Sequence, residues 1–127
     1  MSAAAPIVRQ GGAIIIATAC EDGIPDHGRY LELLIKGQTP QGVLDMLAQP
    51  DFTAQDQWQV QIQALIQSKA QVFVYSDGLT NQQIEKALFT PCRDITATVQ
   101  NLRRKYGPHS RICVMPEGPQ TIAYFLR

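Results

Sequence analysis

An α/β domain is what this sequence predicts, built on an open, mainly parallel β-sheet with helices on both faces in a three-layer, Rossmann-like arrangement. Three observations carry it. Short apolar runs alternate with segments of helical period. The runs Ala13–Cys20 and Val72–Tyr75 lack the polar alternation of a sheet wetted on one face, which is how strands buried on both faces look. Three helix-forming segments separate them, the layout of a right-handed crossover between parallel strands. A chain of 127 residues can bury one real core and is too short for two, so residues 1–127 form one domain.

The elements follow in order. Ser2 to Arg9 reads as the last turns of an alanine-rich helix ending at Gly11. Gly11-Gly12 opens the first strand, AIIIATAC, and Glu21-Asp22-Gly23 closes it. Tyr30, Leu31, Leu34 and Ile35 recur at helical spacing, and Gly37 suits the position just past a helix end. Thr39-Pro40 supplies a cap and a first-turn proline for a second short helix through Val43, Leu44 and Leu47, with Pro50 beyond it as the stop. Thr80-Asn81-Gln82-Gln83 is a capping box. Phe89 to Cys92 fits a short edge strand, the one sheet position where Pro91 is tolerated. Asp94 begins a helix with Ile95, Val99, Leu102 and Tyr106 on one face, and Gly107 ends it. Arg111 to Met115, RICVM, is a third apolar run closed by Pro116-Glu117-Gly118, and TIAYFL after it is an edge strand or a tail.

The stretch DQWQVQIQALIQ, Asp56 to Gln67, carries the single tryptophan and admits two periods. Trp58, Val60 and Ile62 alternate with glutamines as in a strand. At helical spacing Trp58, Ile62, Leu65, Ile66 and Lys69 share a face. The T-x-x-D start at Thr53 to Asp56, the break in alternation at Ala64-Leu65-Ile66 and the length of the run all favour the helix. Ile62, Leu65 and Ile66 are then expected to face the core. Trp58, at the helix start, is by residue type a core anchor, in a position that also permits reach to a cleft rim.

Composition excludes several classes. Lys plus Arg equals Asp plus Glu at 11 each, so no general field draws nucleic acid or an anionic membrane. The basic cluster Arg103-Arg104-Lys105 falls where cations favour a helix C-terminus. Cys20, Cys92 and Cys113 are odd in number and form no CxxC pair, which argues against a disulfide framework or structural zinc; Cys20 and Cys113 read as small buried hydrophobes. The start lacks the pattern of a signal peptide and no apolar run nears the length of a membrane span, so a cytoplasmic location is expected.

Ligands of open parallel sheets bind beyond the carboxyl ends of the strands. There Asp22 and His27, Asp77, and Glu117 would converge on an acidic rim if the three runs are parallel strands. The first loop also offers Cys20, Glu21 and Asp26, ligand types for a metal or an acid-base pair, in a spacing that matches no metal motif. The same residues suit simpler roles, with Asp26 capping the next helix, Asp22-Gly23 turning and His27 merely exposed. The glycines of GGAIII precede their strand and make no dinucleotide fingerprint, and His109 has no visible partner. No metal site is expected in this chain.

The segments MSAAAPIVRQGGAIIIATACEDGIPDHG, DQWQVQ, VFVYSDG and VMPEGPQTI resemble, in order, the C-terminal domain of the nickel-dependent lactate racemase family. The resemblance runs over nearly the whole chain. It implies a partner domain, N-terminal and catalytic, on the same or a separate chain, with the active site in the cleft between two α/β domains. It implies a nickel pincer nucleotide in the full-length enzyme, hydride abstraction from C2 of a small 2-hydroxy acid, and histidines handling the hydroxyl proton. The lysine that tethers the pincer, a further histidine that ligates nickel and nearly all the other site residues belong to the N-terminal domain, whose last residues would directly precede Met1. One family site residue maps here, the tryptophan of QWQ, Trp58, which would close over cofactor and substrate. His27 and His109 match none of the family's catalytic histidines. The resemblance thus implies a lid domain, binding no cofactor and inactive by itself. An alternative is a stand-alone α/β ligand-binding or interaction domain using the acidic rim, and a third is a small enzyme using Asp22, Asp26 and His27.

Overall fold

The structure, a computed structural model, describes residues 1–124. Three parallel strands stand in the order β1-β2-β3: β1 (Gly12–Ala17), β2 (Ala70–Tyr75) and β3 (Thr90–Pro91). Between the first two lie α1 (Tyr30–Gly37), α2 (Pro40–Leu47) and α3 (Gln57–Lys69), while α4 (Asn81–Lys86) precedes β3 and α5 (Ile95–Tyr106) follows it. The α/β order expected from the sequence is therefore the observed one.

Local chemistry explains most boundaries. Thr39 Oγ1 accepts from the Gly42 N–H at 3.0 Å behind a first-turn proline. Thr80 and Gln83 close their capping box from both sides. The Asp94 carboxylate accepts from the Ala97 N–H at 2.9 Å, and Gly107, at φ 91°, ends α5. Pro91 sits in β3, a sheet edge, where its missing N–H breaks no ladder.

The register pairs Ile14 with Val72 and Ile16 with Val74. That face packs on Ile66 of α3 and on Met1, Ala4, Ala5 and Val8. A second cluster joins Leu33, Leu34, Val43, Met46, Val60, Ala64 and Ala87, so the larger part of the core lies among α1, α2 and α3. On the other sheet face Ala13, Ile15, Phe73 and Tyr75 are half-buried.

Several expectations are corrected. Ser2 to Arg9 forms turns instead of regular helix; Pro6 has no N–H to extend the ladder that Ala5 and Val8 begin. The first strand ends at Ala17, three residues short of Cys20. Arg111 to Met115 makes no strand, because no ladder partner lies beside it among the described residues. Cys113 is consequently exposed, and Cys20, at φ 48°, is only half-buried in a turn; Cys92 is the buried thiol. Thr121 to Tyr124 carries no regular structure, and the rest of TIAYFL lies outside the described residues.

Candidate functional site

Helix α3 wins over the strand reading, but it is turned the other way round. Its core face is Val60, Gln63, Ala64 and Ile66. Its most apolar stripe, Trp58, Ile62 and Leu65, stands outward at 61%, 41% and 55% exposure. These residues are spaced at i, i+4 and i+7, one side of the helix. The expectation that Ile62 and Leu65 face the core is overturned, as is the reading of Trp58 as a core anchor.

What faces inward instead is partly polar. The Tyr30 hydroxyl donates to Gln63 Oε1. Gln63 Nε2 donates to the Ala87 carbonyl at 2.8 Å and to Gln67 Oε1 at 3.2 Å, and Gln67 Nε2 donates to the Leu88 carbonyl at 2.5 Å. Leu88 holds φ 61°, a backbone conformation that L side chains rarely adopt. The two glutamines thus fix the exit of α4 against α3, and a buried amide is tolerated because its hydrogen-bonding groups are used.

Burial pushes the Tyr30 phenol up to about 12 from 10.0. Because the folded value lies above the unfolded one, the neutral phenol contributes in full below pH 10, and its contribution fades as pH rises through 12. Melting curves from pH 9 to 12 should show an alkaline loss of about 2 kcal/mol, at 1.36 kcal/mol per unit, that is missing from Tyr30→Phe.

The T-x-x-D start at Thr53 to Asp56 works differently from a capping box. Asp56 occupies the N-cap position at φ 64° with no side-chain bond to its own helix. Its carboxylate accepts from the Arg29 N–H at 2.8 Å, 27 residues away. A side chain on Gly28, at φ 80°, would run into that carboxylate. So the loop that carries His27 is clasped to the start of α3, two residues before Trp58. The clasp also corrects the expectation that Asp26 caps α1; the N-cap position is Arg29, and no side chain caps it. Two signals hinted at the clasp, a glycine before α1 and an aspartate tolerant of left-handed backbone, but their pairing is tertiary. On the surface Arg29 also holds Glu32 in a two-bond ion pair, at 3.0 and 2.6 Å, which keeps the Glu32 carboxyl below its usual range.

The strand-end rim is half assembled. The Ser76 hydroxyl donates to the Ala19 carbonyl at 2.8 Å and the Gly78 N–H to the same carbonyl at 3.0 Å, so the loops carrying Asp22 and Asp77 interlock. Gly23 closes the expected turn onto the Cys20 carbonyl at 2.9 Å. Asp22, His27 and Asp77 are all exposed. Glu117 does not belong to this rim: with no strand at Arg111 to Met115, it precedes an isolated 3-10 turn, Gly118–Gln120. His109 is exposed in the turn after α5. Two shallow depressions lie toward the opposite end of the strands, one against Gly11, Gly12, Ala70 and Gln71 and one against Gln71, Val72 and Thr90. Among the described residues no three His, Cys, Asp or Glu side chains come together as a metal would need.

The arrangement is thus a domain that presents an apolar stripe headed by Trp58 on a firmly seated helix, without an enclosed reaction centre of its own among the described residues. The family model of the lactate racemase C-terminal domain matches residues 1–123. The chain belongs to that family. A curated lactate racemase from Thermoanaerobacterium thermosaccharolyticum is 29% identical over 124 residues, covering 96% of this chain and 29% of the relative. The solved structure of the lactate racemase apoprotein from the same organism superposes with a TM-score of 0.81 at 27% identity, over 100% of this chain and 30% of that one. This family member therefore spans less than a third of the length of the relative it matches, and no helix among its described residues is long and apolar enough to cross a membrane.

Proposed function

We propose that this chain is the C-terminal, cleft-covering domain of a 2-hydroxy-acid racemase or epimerase that works with an N-terminal catalytic domain, in the cytoplasm. The observation that carries the reading is the outward stripe of α3, with Trp58 at 61% exposure above Ile62 and Leu65. A monomeric surface rarely leaves such residues contiguous and open without a partner. In this reading Trp58 closes over the cofactor and the substrate, and Ile62 and Leu65 seat the domain against its neighbour. The Cys20 to Arg29 loop, with Asp22 and His27, joins Asp77 at the lip of the same cleft, since Asp56 ties that loop to the start of α3.

The nickel pincer nucleotide that the family implies would supply the hydride chemistry when bound. The described residues do not fit as its holder, because they bring together no donor set for a metal, so no step is assigned to them through it. Their contribution is exclusion of water and positioning. Trp58 carries a large rigid apolar face, and its helix is held by the glutamine network and by the Asp56 clasp.

The test joins this chain behind the N-terminal portion of the T. thermosaccharolyticum racemase, loads the enzyme with its cofactor and follows conversion of one lactate enantiomer to the other. Trp58→Ala should lower kcat by roughly tenfold or more, the scale of lost positioning at a closed site. The melting temperature of the isolated domain should not move, since the side chain is exposed. An unchanged kcat, or a large drop in domain stability, sinks the role of Trp58. The 127-residue chain assayed by itself should not racemise lactate, and robust activity there sinks the whole reading.

A further inference from the structure

After Gly107 the chain leaves the domain as an arm. Arg111 to Met115 runs without turn or bend, and among the described residues none of its backbone N–H or C=O groups has a backbone partner. Ile112 and Val114 are 58% and 79% exposed, Cys113 between them is exposed too, and further along Ile122 and Tyr124 reach 88% and 74%. Ile, Val and Cys in a row are strand formers, and a strand with open backbone groups on both edges and apolar side chains on both faces is not a stable end state in water. Topology adds a second observation. The Arg9 guanidinium lies 4.9 Å from the Tyr106 ring centroid, so α5 brings the chain back to the amino-terminal end of the sheet, where a further parallel strand would begin. Yet among the described residues no strand takes the arm. Ile122 and Tyr124 carry the exposed apolar residues on past the turn at Pro116-Glu117.

We infer that Arg111 to Tyr124 is a docking arm, whose Arg111–Met115 part adds as a β-strand to a sheet edge of the N-terminal portion that accompanies this domain in its longer relatives. It rests on the reading that such a portion works with this domain. The relative's chain has room for it, since this domain superposes on only 30% of that length. Main-chain hydrogen bonds would supply the affinity, and Ile112 and Val114 would fill apolar cover on one face while Cys113 meets the other. The arm thereby ties the two domains through a segment other than the α3 stripe.

Amide hydrogen exchange tests this on the 127-residue chain alone and on the same chain joined behind the T. thermosaccharolyticum N-terminal portion. Exchange at residues 111–115 should be fast in the isolated chain and at least about 100-fold slower in the joined one, the protection a paired strand confers. The amides of β1 should be slow in both. Protection of the arm in the isolated chain at every concentration would mean pairing within this domain, and protection that grows with concentration would mean pairing with a second copy; either overturns the inference. Fast exchange of the arm in the joined chain also overturns it. In that case the Trp58 fluorescence of the joined chain, blue-shifted or not against the isolated one, decides separately whether the lid reading stands. Val114→Pro, which removes a ladder donor, should abolish the arm's protection in the joined chain and leave the melting temperature of the isolated domain unchanged.

Discussion

Replacing Gln63 with leucine is expected to lower the stability of the domain by about 3 kcal/mol, although the change makes α3 more apolar and keeps its volume. Gln63 is 1% exposed, as fully enclosed as Leu33, Leu34 and Val43. Its amide accepts from the Tyr30 hydroxyl and donates to the Ala87 carbonyl and to Gln67. Leucine would leave the buried Ala87 carbonyl and the largely buried Tyr30 hydroxyl without their protein partner, at about 1–3 kcal/mol each. The double variant Ile62→Gln, Leu65→Gln should by contrast change stability by no more than about 0.5 kcal/mol, because both side chains already face water. Urea unfolding of the two proteins checks the pair. If the double variant were the weaker one, the orientation of α3 would be wrong.

Gly78→Ala is expected to be as damaging, at roughly 3 kcal/mol, the upper range for atoms forced into a filled site. A Cβ there would fall on the Cys20 carbonyl oxygen, 2.6 Å from the Ala19 oxygen and 2.6 Å from the Cys20 carbonyl carbon. These are backbone atoms, so relief requires parting the loops, which breaks the bonds that Ser76 and Gly78 make to Ala19. Gly118→Ala, with nothing within 4 Å of the added carbon, is the matched control and should be neutral. Thermal unfolding reads both, and a Gly78→Ala protein as stable as the control would refute the interlock of the Asp22 and Asp77 loops.

How much of this was legible in the sequence differs by element. α2, α4 and α5 could be read because their starts are local chemistry: Thr39 before proline, Thr80 with Gln83, and Asp94 each bond within three residues of themselves. The parallel strands β1 and β2 could be read because both are apolar and separated by helices. Arg111 to Met115 looks equally apolar and was expected as a strand, but strand composition only makes a segment willing to pair. Glu117 lost its place on the rim for the same reason. Of the candidate site, bonds to the Ala19 carbonyl join the loops that carry Asp22 and Asp77, while the Asp56 clasp on Arg29 spans 27 residues, so local signals mark its two ends but not their pairing.

Taken by itself, the sequence determined the α/β order, the helix caps and the lactate racemase resemblance, with Trp58 as the residue to watch, because each rests on neighbours in the chain or on the order of whole segments. Only the tertiary structure decided which side of α3 faces in. A helical stripe of Trp58, Ile62 and Leu65 states that some surface must cover it, not which one. Within this domain that surface is absent among the described residues, and the opposite face is held instead by Val60, Ala64, Ile66 and a satisfied glutamine. The hydrophobic effect has no direction, so the partner that completes the burial sets the orientation of the helix.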